Sequence, residues 1–218
     1  MDKNVSESLI VMPVERKDGT YALRLCLNQG LLTPGQTRRV LEVMETHDGT
    51  SLRATTGQRM NLEGVPKEKL DEVVAALGTS IPKCPPGVSV CPGGELCKYG
   101  QQETREIGDR VLDVIKANGP YPFKIKSGVS GCGMACGLSF VRDIGLVAIS
   151  KGWNVLYGGS ARHRAAPGVR LAKGVSEDEA LAFIEKGLIY YRENARKGER
   201  IGMMVRRLGA EVIVDALK

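Results

Sequence analysis

Four of the six cysteines in this 218-residue chain form two close pairs, and this spacing constrains the fold more than any other feature. Five residues separate Cys91 from Cys97, and three separate Cys132 from Cys136. Soft thiolate ligands select iron–sulfur clusters, zinc or copper over hard cations. Zinc sites usually use shorter spacers than the five-residue spacer of the first pair. The four cysteines therefore predict a cubane cluster, with structural zinc, disulfides or inert thiols as the alternatives.

The residues around the paired cysteines are small. Residues 91–97 read CPGGELC, and residues 130–137 read SGCGMACG. Glycine removes the side chain where a backbone must approach a bulky group closely. Both segments therefore suit loops that fold around a cluster.

The order of the cysteines is similar to the cluster signature of the siroheme and [4Fe-4S] sulfite and nitrite reductases. Residues 53–59 (RATTGQR) resemble the R-x-T-x-x-Q segment of that family, in the TGxQR form of some nitrite reductases. Residues 124–126 (KIK) resemble the K-x-K segment before the second pair, and residues 152–159 (GWNVLYGG) the strand and turn after it. The resemblance extends from near Ile10 to the C-terminus and is strongest to the small single-unit assimilatory-type sulfite reductases.

The predicted fold class is α+β, with a division near residue 80. The resemblance implies a ferredoxin-like half domain in residues 1–79 and an α/β siroheme and [4Fe-4S]-binding domain in residues 80–218. In the first part, the patterns predict strands and capped helices in the order β-β-α-β-β-α. The predicted strands are residues 9–14, 21–27, 51–55 and 60–62, and the helices begin after Thr33 and at Pro66.

The second part is predicted to carry both cysteine pairs on loops between regular elements. The predicted elements are a loop at 81–94, a helix at 103–117, a strand at 123–129, a hairpin of 144–149 with 153–157, and a helix from Ser176 to Arg196.

The resemblance implies a role for each paired cysteine. The implied cluster ligands are Cys91, Cys97, Cys132 and Cys136. In the family the last of these also bridges to the siroheme iron, which couples the cluster to the haem. Of the two remaining cysteines, Cys26 is predicted to be a small core residue and Cys84 a structural one.

Lys124 and Lys126 stand two residues apart, so both would point to one face of a strand. A solvated strand edge is the simpler interpretation. Placed just before Cys132, however, both Lys124 and Lys126 would reach the haem, where they would hold a bound anion and relay protons. Arg162 and Arg164, which flank His163, follow a glycine turn and are predicted either to contact siroheme carboxylates or to form a basic surface turn.

Arg53 and Arg59 are predicted to contact siroheme or the anion, and Gln58 to donate a hydrogen bond to the haem periphery. The arginines would share one face if the segment were fully extended, which Gly57 makes uncertain. Some family members have arginine at the position of Gly57, so one anion contact of the family is missing here, and Arg59 is a candidate replacement.

The net charge of +6 arises from 31 Lys and Arg against 25 Asp and Glu. Only 5% of residues are aromatic and none interleave with basic runs, which argues against nucleic-acid binding. The carboxylates of a siroheme offer a better use for these cations. The apolar run at residues 9–12 is too short for a signal peptide or a membrane span, and reduced thiols indicate the cytoplasm.

The resemblance implies an oxidoreductase that reduces sulfite to sulfide with six electrons. Nitrite reduction to ammonia is the nearest alternative, and the Thr-Gly-Gln-Arg segment favours it. A cluster-only electron carrier, a zinc-containing nucleic-acid-binding protein and a non-reductive siroheme protein remain open. No dinucleotide fingerprint occurs, so electrons are expected from an external donor such as a ferredoxin. Larger family members contain the two-part unit twice, so a homodimer is expected here.

Overall fold

The computed structural model describes residues 7–218, and the chain separates into two units, Met1–Pro85 and Pro86–Lys218. Each unit is built around one five-stranded sheet with helices packed on it. The α+β fold class predicted from the sequence is confirmed. Within the described residues, no helix is both long and apolar enough to cross a membrane.

The sheet of the first unit has the strand order β3-β4-β2-β1-β5. Its strands are β1 (Leu9–Glu15), β2 (Tyr21–Leu25), β3 (Ser51–Ala54), β4 (Met60–Val65) and β5 (Gly78–Ser80). Adjacent strands are antiparallel, except that β5 pairs with β1 in parallel. The last strand was not predicted, because three residues are too few for a periodic pattern.

Two helices cover one face of this sheet, namely α1 (Pro34–Thr46) and α2 (Leu70–Leu77). The predicted capping box of α1 is present, with Thr33 Oγ1 accepting the Gln36 N–H at 3.1 Å. Alternate strand residues such as Leu23 and Leu62 are fully buried in the core with the helices. The intervening residues, including Arg24, lie on the opposite face of the sheet.

A disulfide joins Cys26 to Cys84 in this unit, with the two Cα atoms 6.0 Å apart. The prediction that Cys26 is a small core thiol is therefore wrong. The partner lies 58 residues away along the chain, so local strand periodicity carried no sign of the pair.

The second unit has the strand order β10-β9-β8-β7-β6. Its strands are β6 (Gly87–Val90), β7 (Lys126–Ser130), β8 (Ile144–Ile149), β9 (Gly152–Tyr157) and β10 (Val169–Val175). The first three are parallel, and the predicted hairpin of β8 and β9 is confirmed. The loop predicted for residues 81–94 is wrong where β6 forms, since pairing with the distant β7 stabilises a strand despite the surrounding prolines and glycines.

Five helices complete the second unit: α3 (Gly93–Leu96), α4 (Arg105–Ala117), α5 (Glu177–Asn194), α6 (Ile201–Leu208) and α7 (Ala210–Leu217). The capping box at Ser176 is present, with Ser176 Oγ accepting the Glu179 N–H at 3.3 Å. The core contains the fully buried Trp153, Tyr157 and Tyr191. This packed core fixes the edges of the sheet, where the cysteines and the basic residues lie.

Candidate metal centre and oxyanion site

The two cysteine pairs follow neighbouring parallel strands. Cys91 comes directly after β6, and Cys132 lies two residues after the end of β7. The two strands pair in parallel, and the Cys91 N–H donates to the Val129 carbonyl at 3.2 Å. Since the carboxyl ends of parallel strands meet at one edge of a sheet, the first cysteine of each pair lies at the same edge.

The first cysteine loop is hydrogen-bonded to the second. The Gly131 N–H donates to Cys91 Sγ at 3.1 Å, and the Gln101 N–H donates to the Gly131 carbonyl at 2.6 Å. The buried hydroxyl of Thr104 donates to the Cys91 carbonyl at 2.7 Å. An N–H group directed at sulfur suits a thiolate that binds a cluster, because hydrogen bonds to the sulfurs stabilise their negative charge.

Glycine is required where these loops meet. A Cβ added at Gly131 would lie 3.1 Å from the Gly93 Cα atom, and one at Gly100 would lie 2.5 Å from the Gly94 Cα atom. The absence of side chains therefore allows backbone-to-backbone contact between the two loops at Gly131 and within the first loop at Gly100.

The segment after Cys136 returns across β7 and β8. The Gly137 N–H donates to Ser130 Oγ at 3.0 Å, and that hydroxyl is 2.7 Å from Ser139 Oγ. A Cβ added at Gly128 would lie 2.4 Å from the Gly137 carbonyl oxygen, and one at Gly145 would lie 2.0 Å from that of Ser139. Close packing on the sheet thus holds the loop that carries the exposed Cys136.

The four paired cysteines are free thiols, half-buried in three cases and exposed at Cys136. Among residues 7–218, no three His, Cys, Asp or Glu side chains are close enough together to hold a single metal ion. Four cysteine thiolates are the usual donor set of a [4Fe-4S] cluster, so the chemistry of these residues fits that group.

Large apolar side chains are exposed on the cysteine loops. Between 40% and 76% of the surface of each is accessible, and they are Leu96, Tyr99, Met134, Leu138 and Phe140. Exposed apolar surface of this kind is typical of a site that a ligand or a partner protein covers.

Lys126 is the first residue of β7, and its N–H donates to Asp143 Oδ2 at 2.8 Å. Burial and the positive charges of Arg200, Arg142 and Lys124 lower the pKa of Lys126. Lys124 is exposed and precedes the strand. β7 begins three residues later than predicted, so only Lys126 lies in the strand, but both lysines are exposed and flank the buried Ile125.

Three further charged residues near Lys126 were not identified from the sequence. Asp143 binds the Arg200 guanidinium through both carboxylate oxygens, and Arg142 donates to Ser89 Oγ at 3.3 Å. Arg200 lies 57 residues beyond Asp143 along the chain, so no local motif connects them.

Arg53 and Arg59 lie on the two arms of the hairpin formed by β3 and β4. Arg53 pairs with Asn61 in the ladder. The Thr55 N–H donates to the Arg59 carbonyl at 2.8 Å, and the Arg59 N–H donates to Thr55 Oγ1 at 3.3 Å, so both arginines lie on one face of the hairpin. The chain reverses direction between the two arginines, and Gln58 lies in the turn with a φ of 53°. The expected shared face thus arises from the hairpin and not from an extended segment.

The two arginines differ in environment. Arg59 donates to the Pro85 carbonyl at 2.7 Å, and burial and then the charge of Arg24 lower its pKa. Arg53 is exposed and stands 3.6 Å from Glu63. Arg24 was missed, although a single cation in the alternating pattern of β2 was a signal for the polar face of the sheet.

Arg162, His163 and Arg164 lie on an exposed loop. Reciprocal backbone hydrogen bonds of 2.9 Å between Ser160 and Ala166 close this loop. Arg162 lines a small pocket with Arg200 and other residues.

Comparison with protein families covers both units. Residues 83–218 match the nitrite and sulphite reductase 4Fe-4S domain, and residues 14–79 match the nitrite/sulfite reductase ferredoxin-like half domain. The chain belongs to the nitrite and sulfite reductase family.

Two relatives of this reductase illustrate the range of the family. It is 34% identical over 208 residues to the assimilatory-type sulfite reductase of Nitratidesulfovibrio vulgaris, covering 94% of this chain and 95% of that protein. It is 30% identical over 206 residues to the nitrite reductase [NAD(P)H] of Bacillus subtilis, covering 93% of this chain but only 26% of that protein. The chain therefore spans nearly all of the first relative and about a quarter of the second.

Two solved structures share the fold of this reductase. The Mycobacterium tuberculosis NirA protein superposes with a TM-score of 0.75 at 22% identity, over 95% of this chain and 41% of that chain. Dissimilatory sulfite reductase I has a TM-score of 0.70 at 13% identity, over 90% of this chain and 69% of that chain.

These matches confirm the family predicted from the cysteine spacing and its classification as an oxidoreductase. The predicted cofactors, siroheme and a [4Fe-4S] cluster, are those of the family to which this reductase belongs.

Proposed function

We propose that this reductase is a siroheme- and [4Fe-4S]-dependent sulfite reductase that takes sulfite to sulfide with six electrons. The observation that carries the proposal is the match to an assimilatory-type sulfite reductase over nearly the whole length of both chains. The match to the Bacillus nitrite reductase covers only part of a longer protein.

The cluster would be held by the free thiols at the carboxyl ends of β6 and β7, namely Cys91, Cys97, Cys132 and Cys136. Cys136, the most exposed of the four, would also bind the siroheme iron. The exposed apolar side chains on the same loops would pack against the macrocycle. When bound, the two cofactors pass electrons singly to the oxyanion.

The basic residues would act on the oxyanion and on the siroheme carboxylates. Lys126 is proposed to bind the anion and to donate protons as its oxygen atoms leave, because its lowered pKa makes proton release less costly. Lys124 would add positive charge beside it. Arg53 and Arg59 are proposed as anion or siroheme contacts, with Gln58 as a hydrogen-bond donor.

Arg162 and Arg164 are proposed to bind siroheme carboxylates, since a planar guanidinium can donate two parallel hydrogen bonds to one carboxylate. The exposed loop leaves both side chains accessible. Electrons are proposed to come from a separate low-potential protein of the ferredoxin type, and the proposed location is the cytoplasm.

Nitrite is the second candidate substrate. Residues 55–59 have the Thr-Thr-Gly-Gln-Arg form, and nitrite reductases are among the relatives. Sulfite and nitrite are both small oxyanions, so the same cations serve either one.

The test is the visible spectrum of anaerobically purified protein, followed by turnover of each oxyanion with a reduced dye. We expect a Soret band, a red-shifted chlorin band that responds to sulfite, and a larger kcat/KM for sulfite than for nitrite. A larger kcat/KM for nitrite would transfer the assignment to nitrite reduction. Cluster absorption without haem bands after reconstitution would overturn both and indicate an electron carrier.

A further inference from the structure

Asp143 is a buried carboxylate to which the proposed function gives no role. It directly precedes β8, and only 2% of its side chain is exposed. Asp143 Oδ2 accepts a hydrogen bond from the backbone N–H of Lys126 at 2.8 Å. The Arg200 guanidinium donates to both carboxylate oxygens, with its Nε 3.2 Å from Oδ1. Buried charge is tolerated when it is paired and fully hydrogen-bonded. One of the hydrogen bonds that Asp143 accepts comes from the backbone of Lys126, the first residue of β7.

The partner guanidinium is itself held in place. Arg200 caps the start of α6, where its carbonyl accepts the N–H groups of Met203 at 2.9 Å and Met204 at 3.0 Å. The Phe123 ring centroid lies 6.0 Å from its guanidinium carbon. The Asp143 carbonyl accepts the Gly158 N–H at 2.7 Å, which ties the other end of the pair to the end of β9.

We propose that Asp143 and Arg200 are positioning residues for Lys126. The carboxylate fixes the backbone of Lys126 at the start of β7, and the guanidinium places a second positive charge near its ammonium. This inference rests on the proposed role of Lys126 toward the oxyanion.

The two residues have opposite electrostatic effects on Lys126. Burial lowers the pKa of Lys126 most, and the charges of Arg200, Arg142 and Lys124 lower it further, whereas Asp143 raises it. Removing the positive charge of Arg200 should therefore raise the pKa of Lys126. Removing the negative charge of Asp143 should lower it. A merely structural role of the pair would not produce shifts of opposite sign.

The test is competitive labelling of the holoenzyme with an amine-reactive reagent across a pH series, read at Lys126 by peptide mass spectrometry. We expect Arg200→Gln to move the labelling midpoint of Lys126 to higher pH and Asp143→Asn to move it to lower pH. Arg200→Lys, which keeps the charge, should leave the midpoint close to that of the wild type.

The matched control is Arg207→Gln. Arg207 forms a comparable partly buried pair with Glu199 and is absent from the charges that act on Lys126. It should lower the urea midpoint without moving the labelling midpoint.

The alkaline limb of kcat/KM for sulfite should follow the labelling midpoint in each variant, since a protonated Lys126 is the proposed donor. Labelling midpoints that stay in place, or that move in the same direction in Arg200→Gln and Asp143→Asn, would overturn the positioning role. Wild-type kcat/KM in Lys126→Gln would instead overturn the proposed role of Lys126, on which the inference rests.

Discussion

At the residue scale, the Glu199–Arg207 pair gives a pH-dependent contribution to stability. Hydrogen bonds from the Arg207 guanidinium lower the pKa of the nearly buried Glu199 from 4.5 to about 2. The stabilisation is thus fully present above pH 4.5 and is lost as the pH falls toward 2. We expect Glu199→Gln to lower the free energy of unfolding by about 2 kcal/mol at pH 7 and by about half as much at pH 3, where the carboxylate of the folded protein is still largely ionised. Urea unfolding at both pH values checks this.

The control for this prediction is Glu177→Gln in the exposed pair with Arg110, where both side chains are more than a third accessible. A surface ion pair contributes at most about 1 kcal/mol, so the midpoint should hardly change. An equal effect of Glu199→Gln at pH 7 and pH 3 would contradict the assignment.

Residues of the candidate site that belong to a local sequence pattern, such as the paired cysteines, could be predicted from the sequence. The spacing of Cys91 to Cys136 required no knowledge of the fold. Asp143 and Arg200, in contrast, lie 57 residues apart along the chain and meet only once it has folded. The disulfide of Cys26 has the same origin. Long-range pairs of single residues leave no periodic signal, so they were not predicted.

At the scale of elements, the chain segment over β8 determines where Cys136 lies. A Cβ at Gly145 would be 2.0 Å from the Ser139 carbonyl oxygen, which belongs to the backbone and cannot rotate away. We expect Gly145→Ala to displace this segment, to lower the free energy of unfolding by about 1–3 kcal/mol and to reduce the iron bound per chain. Iron analysis together with urea unfolding measures both effects.

Gly133→Ala is the matched control for this prediction. Gly133 lies between two paired cysteines, yet a Cβ there would meet nothing within 4 Å. In the cofactor-free protein it should retain the wild-type free energy of unfolding, because no protein atom meets the added methyl group. If Gly145→Ala retained its iron, the packing of the returning segment on β8 would not be what positions Cys136.

Elements with strong local signals were predicted well. The capping boxes at Thr33 and Ser176 mark the starts of α1 and α5 as expected. The local pattern predicts a loop where β6 forms and an earlier start for β7, because pairing between distant segments sets the limits of both strands. The later start leaves Lys124 before the strand, although it is exposed like Lys126.

At the scale of the whole molecule, this chain carries one match to each of the two family domains. The homodimer expected from the sequence stays a prediction at this scale. A twofold-symmetric dimer is the form to test first, since its interface is self-complementary and is the commonest in soluble oligomers.

Light scattering on the cofactor-loaded protein tests the homodimer. We expect the mass of two chains at micromolar concentration, and dissociation toward the mass of one chain on dilution if the interface is of ordinary size. The same measurement on cofactor-free protein serves as the comparison, because a dimer that forms only with cofactors would show that their binding orders the interface. The mass of one chain at all concentrations, with turnover of sulfite retained, would overturn the homodimer and show that one copy of the unit is sufficient for reduction.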